Sequence, residues 1–234
     1  MPTPKGQGLL ARWSYSQWSS YEKCPAMVKY RQIDKLPEIG PREALDRGNH
    51  IHRVLEDVVR CKAPLETMYD PVPGKPSKLP TWVPEVETLL REGATAEDSI
   101  SLTQSWTETT WLANDAWLRA KLDVRLKPKV IDYKTGRAYP EHVYQADLYA
   151  TMEYAIGCQA PEIPVEFWYL DQPADGKNAK KVWYFKKEDQ PQRVLAWEHR
   201  IEAMMNDTLF PKRPGMHCAW CGYAGSKGGP CEAG

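Results

Sequence analysis

Between residues 100 and 134 the chain changes its hydrophobic period from that of helices to that of strands. Helical patterns lie on both sides of this block. Residues 100–112, 117–126 and 128–134 alternate as strands do, and Asn114-Asp115 and Lys127-Pro128 supply the turns between them. Before the block, residues 14–33 begin helically, with Ser14 placed to cap and Gln17 three residues on. Pro25 breaks that run. A second helix is expected from Arg42 to Arg60, with Leu45, His52, Leu55 and Val59 on one face. The proline-rich stretch 63–81 reads as a loop or lid, and residues 84–92 read as a short helix. After the block come a helix over 139–156, strands over 163–171 and 180–186 around a hairpin turn, and a helix over 190–206. This order predicts an α/β (α+β) fold, a mixed sheet flanked by helices.

At 234 residues one core can serve the whole chain, so 1–234 is expected to be a single domain. Its parts are N-terminal helices over 14–60, an insertion or lid over 63–98, a sheet core over 100–187 and a cysteine-bearing tail over 211–234. No apolar run is long enough to span a membrane. The first residues lack an apolar leader, so a cytoplasmic location is expected. With 31 basic and 31 acidic residues the net charge is zero, so a polyanionic partner would have to be held by local patches. Two are visible: Lys121, Arg125, Lys127 and Lys129, and then Lys177, Lys180, Lys181, Lys186 and Lys187. Ten Trp and twelve Tyr against three Phe suit either core packing or stacking on unpaired bases.

Asp123 on one strand and Asp132-Tyr133-Lys134 on the next carry the chemistry. Residues two apart on a strand share a face, so Asp132 and Lys134 point together while Ile131 and Tyr133 point away. Asp123 joins them if the two strands pair. Two carboxylates suit a hard divalent ion such as Mg²⁺, which polarises a phosphoryl oxygen and acidifies bound water. A neighbouring ammonium can orient that water or stabilise developing charge. Cys218 and Cys221 form a Cys-x₂-Cys pair, with Cys231 following. Three thiolates leave a soft tetrahedral site one ligand short, and Cys24, Cys61 and Cys158 make up the remaining cysteines.

The Asp123 and Asp132-Tyr133-Lys134 pattern resembles the core of the PD-(D/E)XK nucleases. Gly48-Asn49-His50-Ile51-His52 and Gln145-Ala146-Asp147-Leu148-Tyr149 are similar to helical motifs of the RecB-like branch, which includes AddB and CRISPR-associated exonucleases. The resemblance implies a restriction-endonuclease-like sheet. It makes Asp123, Asp132, Lys134, Gln145 and Tyr149 catalytic. His52, Asp123, Asp132 and the Tyr133 main-chain carbonyl become ligands of Mg²⁺ or Mn²⁺. It also implies a [4Fe–4S] cluster on Cys24, Cys218, Cys221 and Cys231. Nine residues separate Cys221 from Cys231, more than that group's short gap, which leaves Zn²⁺ as the alternative.

Lys121 and Arg125 are candidate DNA contacts, Glu56 a candidate helper of His52 and Glu108 a weak supporting acid, while His50 is a bystander. The expected activity is a metal-dependent DNA exonuclease that trims linear ends for recombination or repair, beside a helicase or strand-annealing recombinase. The alternatives are a non-catalytic DNA-binding or adaptor module stapled by cysteines, and an endonuclease or RNA nuclease of the same fold.

Overall fold

The computed structural model describes residues 8–71 and 76–233. The stretch expected to form a lid therefore lies partly outside the described residues, as does the extreme N-terminus.

Helix α1 spans Tyr15–Lys23, and the Ser14 hydroxyl accepts from the Gln17 amide at its start. It stops before Pro25, which opens the short α2, Pro25–Val28. Helix α3 spans Glu43–Val59 and buries Ile51, Leu55, Val58 and Val59. Leu45, expected on the same face, is exposed because the helix enters before the core begins. Helix α4, Val83–Arg91, follows. Then come β1 (Thr95–Leu102), β2 (Leu118–Leu126), β3 (Lys129–Lys134), α5 (His142–Ala155), β4 (Glu162–Tyr169), β5 (Lys180–Lys186) and α6 (Gln190–Asn206).

The five strands lie side by side in chain order. Every neighbouring pair is antiparallel except β3 and β4, which are parallel and joined through α5. A parallel pair needs such a crossover, and α5 is the helix that supplies it. The mixed sheet with flanking helices matches the expected restriction-endonuclease-like α/β fold.

Two cores sandwich the sheet. Trp13, Trp18, Leu122, Val130, Leu148, Val165 and Trp197 belong to one, which unites α1, α5 and α6 with the sheet. Ile51, Leu55, Trp82, Val86, Val124, Ile131 and Tyr133 belong to the other, beneath α3 and α4. Met68, Leu79 and Trp82 are fully buried there. The described part of 63–81 is thus a packed cover of the second face, not a loose lid.

The first strand is shifted from expectation. It begins at Thr95 and ends at Leu102, whereas residues 103–116 form turns, with the Trp106 amide bonded back to the Thr103 carbonyl. Residues 107–109 turn back onto the end of β1, where Glu108 bridges Leu102 and the Thr109 amide donates to the Ser101 carbonyl, but the pairing goes no further. Glu108 falls in this loop and is exposed, away from the acids of the sheet.

Candidate active site

β1 and β2 both change face at one level. Leu118, Ala120 and Leu122 enter the first core, yet Val124 enters the second. On a regular strand all four would share a side. The same switch separates Ala96 from Ile100 and Leu102 on β1. Between them Glu97 has φ of 53°, a sterically costly value for a residue with a Cβ. The ladder pairs Ala96 with Val124 and Asp98 with Leu122, so Glu97 stands opposite Asp123. Asp123 therefore sits on a bend.

Beyond Val124↔Ile131 the β2–β3 ladder ends. The amide of Tyr133 is satisfied by Asp123 Oδ2 at 2.7 Å. Its other oxygen, Oδ1, lies 3.1 Å from His52 Nδ1. One carboxylate thus ties β2 to β3 and to α3. Gly48 lets α3 approach: a Cβ there would come within 2.9 Å of Thr135 Oγ1, just after Lys134.

Asp132 and Lys134 point together, as the strand period requires. Lys134 Nζ is 2.5 Å from Asp132 Oδ2 and donates to Gln145 Oε1 at 2.8 Å. Gln145 Nε2 reaches back to Asp132 Oδ1 at 3.2 Å and to the Tyr149 hydroxyl at 2.7 Å. Tyr149 in turn donates to Asp132 Oδ1 at 3.0 Å. Asp132, Lys134, Gln145 and Tyr149 thus share one network, and Asp123 with His52 forms a second, joined to the first through the backbone at Tyr133.

Burial raises the Asp132 carboxyl above its usual range, since a desolvated charge is disfavoured. The Asp123 charge adds to this, and Lys134 and the Tyr149 hydrogen bond pull against it. Burial alone would lower His52, but the hydrogen bond and charge of Asp123 outweigh it and raise the imidazole above its ordinary value. Tyr149 is held well above its ordinary value by burial and then by Asp132 and Asp123. It stays protonated and donates.

A cleft of about 740 Å³ opens over this network, lined by Asn49, His52, Arg53, Glu97, Lys121 and Lys134 among others. Lys121 is at its rim, 3.5 Å from Glu97. Arg125 is not. Its guanidinium is turned onto the buried Glu153 at 2.6 Å, so the expected phosphate contact gives way to an internal ion pair. Glu56 is paired with Arg60 at 2.8 Å rather than with His52. His50 hydrogen-bonds the carbonyl of Pro71. Arg53 in the cleft went unremarked in the sequence, although its place beside His52 was the available signal.

The donor set suits a hard divalent ion. Asp132 Oδ2 is buried and faces the Lys134 ammonium at 2.5 Å, so the charge of the one offsets the charge of the other. Among the described residues no group of three or more His, Cys, Asp or Glu side chains is gathered as a metal cage. Carboxylate and imidazole donors are the kind taken by ions that keep several waters and use few protein ligands.

Cysteines from both ends of the chain converge away from this cleft. Cys24, Cys218, Cys221 and Cys231 line one small cavity with Tyr30 and Met27. Backbone amides of Arg213, Gly215 and Tyr223 point at the sulfurs of Cys24, Cys218 and Cys221, each at 3.4 Å. Burial raises the Cys221 thiol, with the other three thiols adding to the effect. Cys61 and Cys158 do not line this cavity. Among the described residues no helix is long and apolar enough to cross a membrane.

The family model of the PD-(D/E)XK nuclease superfamily matches residues 12–226. A search of curated proteins finds no match. Among solved structures, the crystal structure of SSO0001 is similar at 13% identity and a TM-score of 0.44, over 96% of this chain and 87% of that one. The chain belongs to the PD-(D/E)XK nuclease superfamily, whose members typically hydrolyse phosphodiester bonds with the help of a metal ion such as Mg²⁺ or Mn²⁺.

Proposed function

We propose that this protein is a Mg²⁺- or Mn²⁺-dependent DNA exonuclease of the RecB-like branch, processing DNA ends to single strands for recombination or repair in the cytoplasm. The observation that carries the reading is the pairing of Asp132 with Lys134 and of Asp123 with His52, with Lys134 and His52 lining one cleft. The Gly48–His52 and Gln145–Tyr149 spacings support the branch, and the linear substrate and a helicase or strand-annealing partner follow from it by analogy.

Asp123, Asp132, His52 and the Tyr133 carbonyl would hold the ion. When bound, it polarises the scissile phosphoryl group and acidifies a water. Asp123 is fixed for this task by the Tyr133 amide, and Asp132 by Gln145 and Tyr149. Lys134 holds its ammonium beside Asp132, where it can orient a water or stabilise charge developing on the phosphoryl oxygens. Gln145 keeps that ammonium in place. Arg53 and Lys121 at the cleft rim are placed to meet flanking phosphates.

The test uses labelled linear DNA, circular DNA and RNA with Mg²⁺ or Mn²⁺. Mononucleotides released from linear DNA alone support the reading. Cutting of circles reassigns the chain as an endonuclease, cutting of RNA changes the substrate, and binding without cleavage favours the adaptor module.

A second reading rests on the four convergent thiols and the amides aimed at them. They suit a [4Fe–4S] cluster or, failing that, Zn²⁺. Anaerobically purified protein should be brown and hold about four irons, the number in such a cluster. One zinc without iron would replace the cluster, and neither metal in folded protein would remove the assignment.

A further inference from the structure

Lys134 lines the cleft, and its ammonium also lies 4.7 Å above the ring centroid of Phe167. From there a run of rings leads outward. Phe167 is 5.5 Å from His142, and His142 is met edge-on by Tyr139 at 5.6 Å. His142 does not swing freely. It stacks on Tyr169 with 17° between planes, and its Nδ1 is hydrogen-bonded to the Tyr169 hydroxyl at 2.8 Å. Phe167 and Tyr169 are buried, whereas Tyr139 is 53% exposed. The run thus begins at the reactive lysine and ends in a ring that water can reach.

Its charge is also asymmetric. The ammoniums of Lys134, Lys181 and Lys23 act on His142 against the carboxylate of Glu141, and Asp132, 2.5 Å from Lys134, acts on the neighbouring Tyr169. Burial first, then those lysines, hold His142 down at about 4, so the imidazole is a neutral ring at physiological pH. A neutral aromatic surface with ammoniums nearby, here Lys181 and Lys23 as well as the Asp132-paired Lys134, is the combination that binds unpaired nucleic acid. The rings take base faces and the ammoniums take phosphates.

We infer that Tyr139, backed by His142, forms a base-stacking subsite for an unpaired nucleotide of the strand whose phosphodiester lies at Lys134. This deepens the nuclease reading and rests on it for the direction of the strand. A base pair inside a duplex offers only its edges, because both its faces are already stacked, and an end pair leaves just one face open. The subsite therefore selects a single-stranded or frayed end over intact duplex.

The experiment measures fluorescence anisotropy of labelled single-stranded and blunt duplex DNA of equal length, in EDTA so that nothing is cut. Tyr139→Ala should weaken single-strand binding by about tenfold and change duplex binding less than about twofold, the usual range for loss of one base–aromatic stack. Tyr139→Phe should bind like the parent. A 2-aminopurine placed near the end of the single strand should be quenched on the parent protein and not on Tyr139→Ala. Equal losses on both DNAs, or none on either, would overturn the subsite. Because Tyr139 is exposed, an unchanged melting temperature is the control for folding. Cleavage by the parent with Mg²⁺ is scored separately. Stacking without cleavage would remove the nuclease reading, and cleavage without stacking would remove only the subsite.

Discussion

The catalytic end and the cysteine end of this molecule are built by opposite means. Around Asp123 and Asp132, geometry is set by two cores that bury whole strands and helices, so the acids are placed before any ion arrives. Around Cys221 the buried cluster is Cys221, Tyr223 and Ala224, with Met27 and Tyr30 packed against it. Trp220 and Met216 nearby are exposed. That tail has turns and amide-to-sulfur contacts instead of apolar area. A large hydrophobic core can carry a site that costs stability, whereas a segment with little apolar area would gain more order from any metal it took up.

The largest effect should fall on chemistry at the core-built end. Asp123→Ala or Asp132→Ala should cut the cleavage rate by far more than tenfold while DNA binding persists, since phosphate contacts come from other side chains. Retention of more than about a tenth of the parent rate, about 1.4 kcal/mol in barrier, would remove the site. Lys134→Ala should lower turnover much more than DNA affinity. Lys134→Arg should recover only part, because a planar guanidinium differs in reach from an ammonium held by Gln145.

Stability comes next. Leu55→Ala in the second core should cost about 2–5 kcal/mol with or without metal, read by urea melts. Cys24→Ser or Cys221→Ser should destabilise metal-loaded protein but leave stripped protein nearly unchanged, with Cys158→Ser as the neutral control. Trypsin sharpens the contrast. Chelation should expose the Lys212–Arg213 bond near Cys24 while the sheet stays protected. Simultaneous loss of both regions would show that they are one cooperative unit.

The smallest effect concerns His52 and Asp123. The imidazole is raised in the folded state, so its extra stabilisation is fully present below the ordinary histidine value near 6.5 and fades as pH rises through the raised value. His52→Ala should therefore cost more at pH 5.5 than at pH 9, by a few tenths to about 1 kcal/mol. An equal cost at both pH values would reduce the pair to packing.

The two ends were also unequally legible. Asp132 and Lys134 were readable because a period of two puts them on one face, and α5 then needed only its i, i+4 spacing to bring Gln145 and Tyr149 over them. The four cysteines were readable as a set only through resemblance. The bend was not readable. Nothing local in Leu122-Asp123-Val124 says that its faces switch, since that follows from the pairing with Glu97 on another strand. Arg125 was misplaced for the same reason, its partner Glu153 lying on a helix that only the crossover brings near. Residues 103–112 have strand-like side chains, yet only one bridge forms, from Glu108 to Leu102, because strand propensity does not set how far the turn lets the chain pair. Tyr139 and His142 mark the same limit, because their role depends on rings contributed by β4.

The Gln145 carboxamide is a two-sided connector that can be seated one way only. Its oxygen must face Lys134 and its nitrogen Asp132, for the reverse would set donor against donor and acceptor against acceptor. Glutamate has the same shape but would bring a second negative charge against Asp132, and lysine could not accept from Lys134. The network thus reads the polarity of its own parts. A chain that kept both acids and the lysine but carried Glu at this position would preserve the inventory of the site while reversing one of its connections.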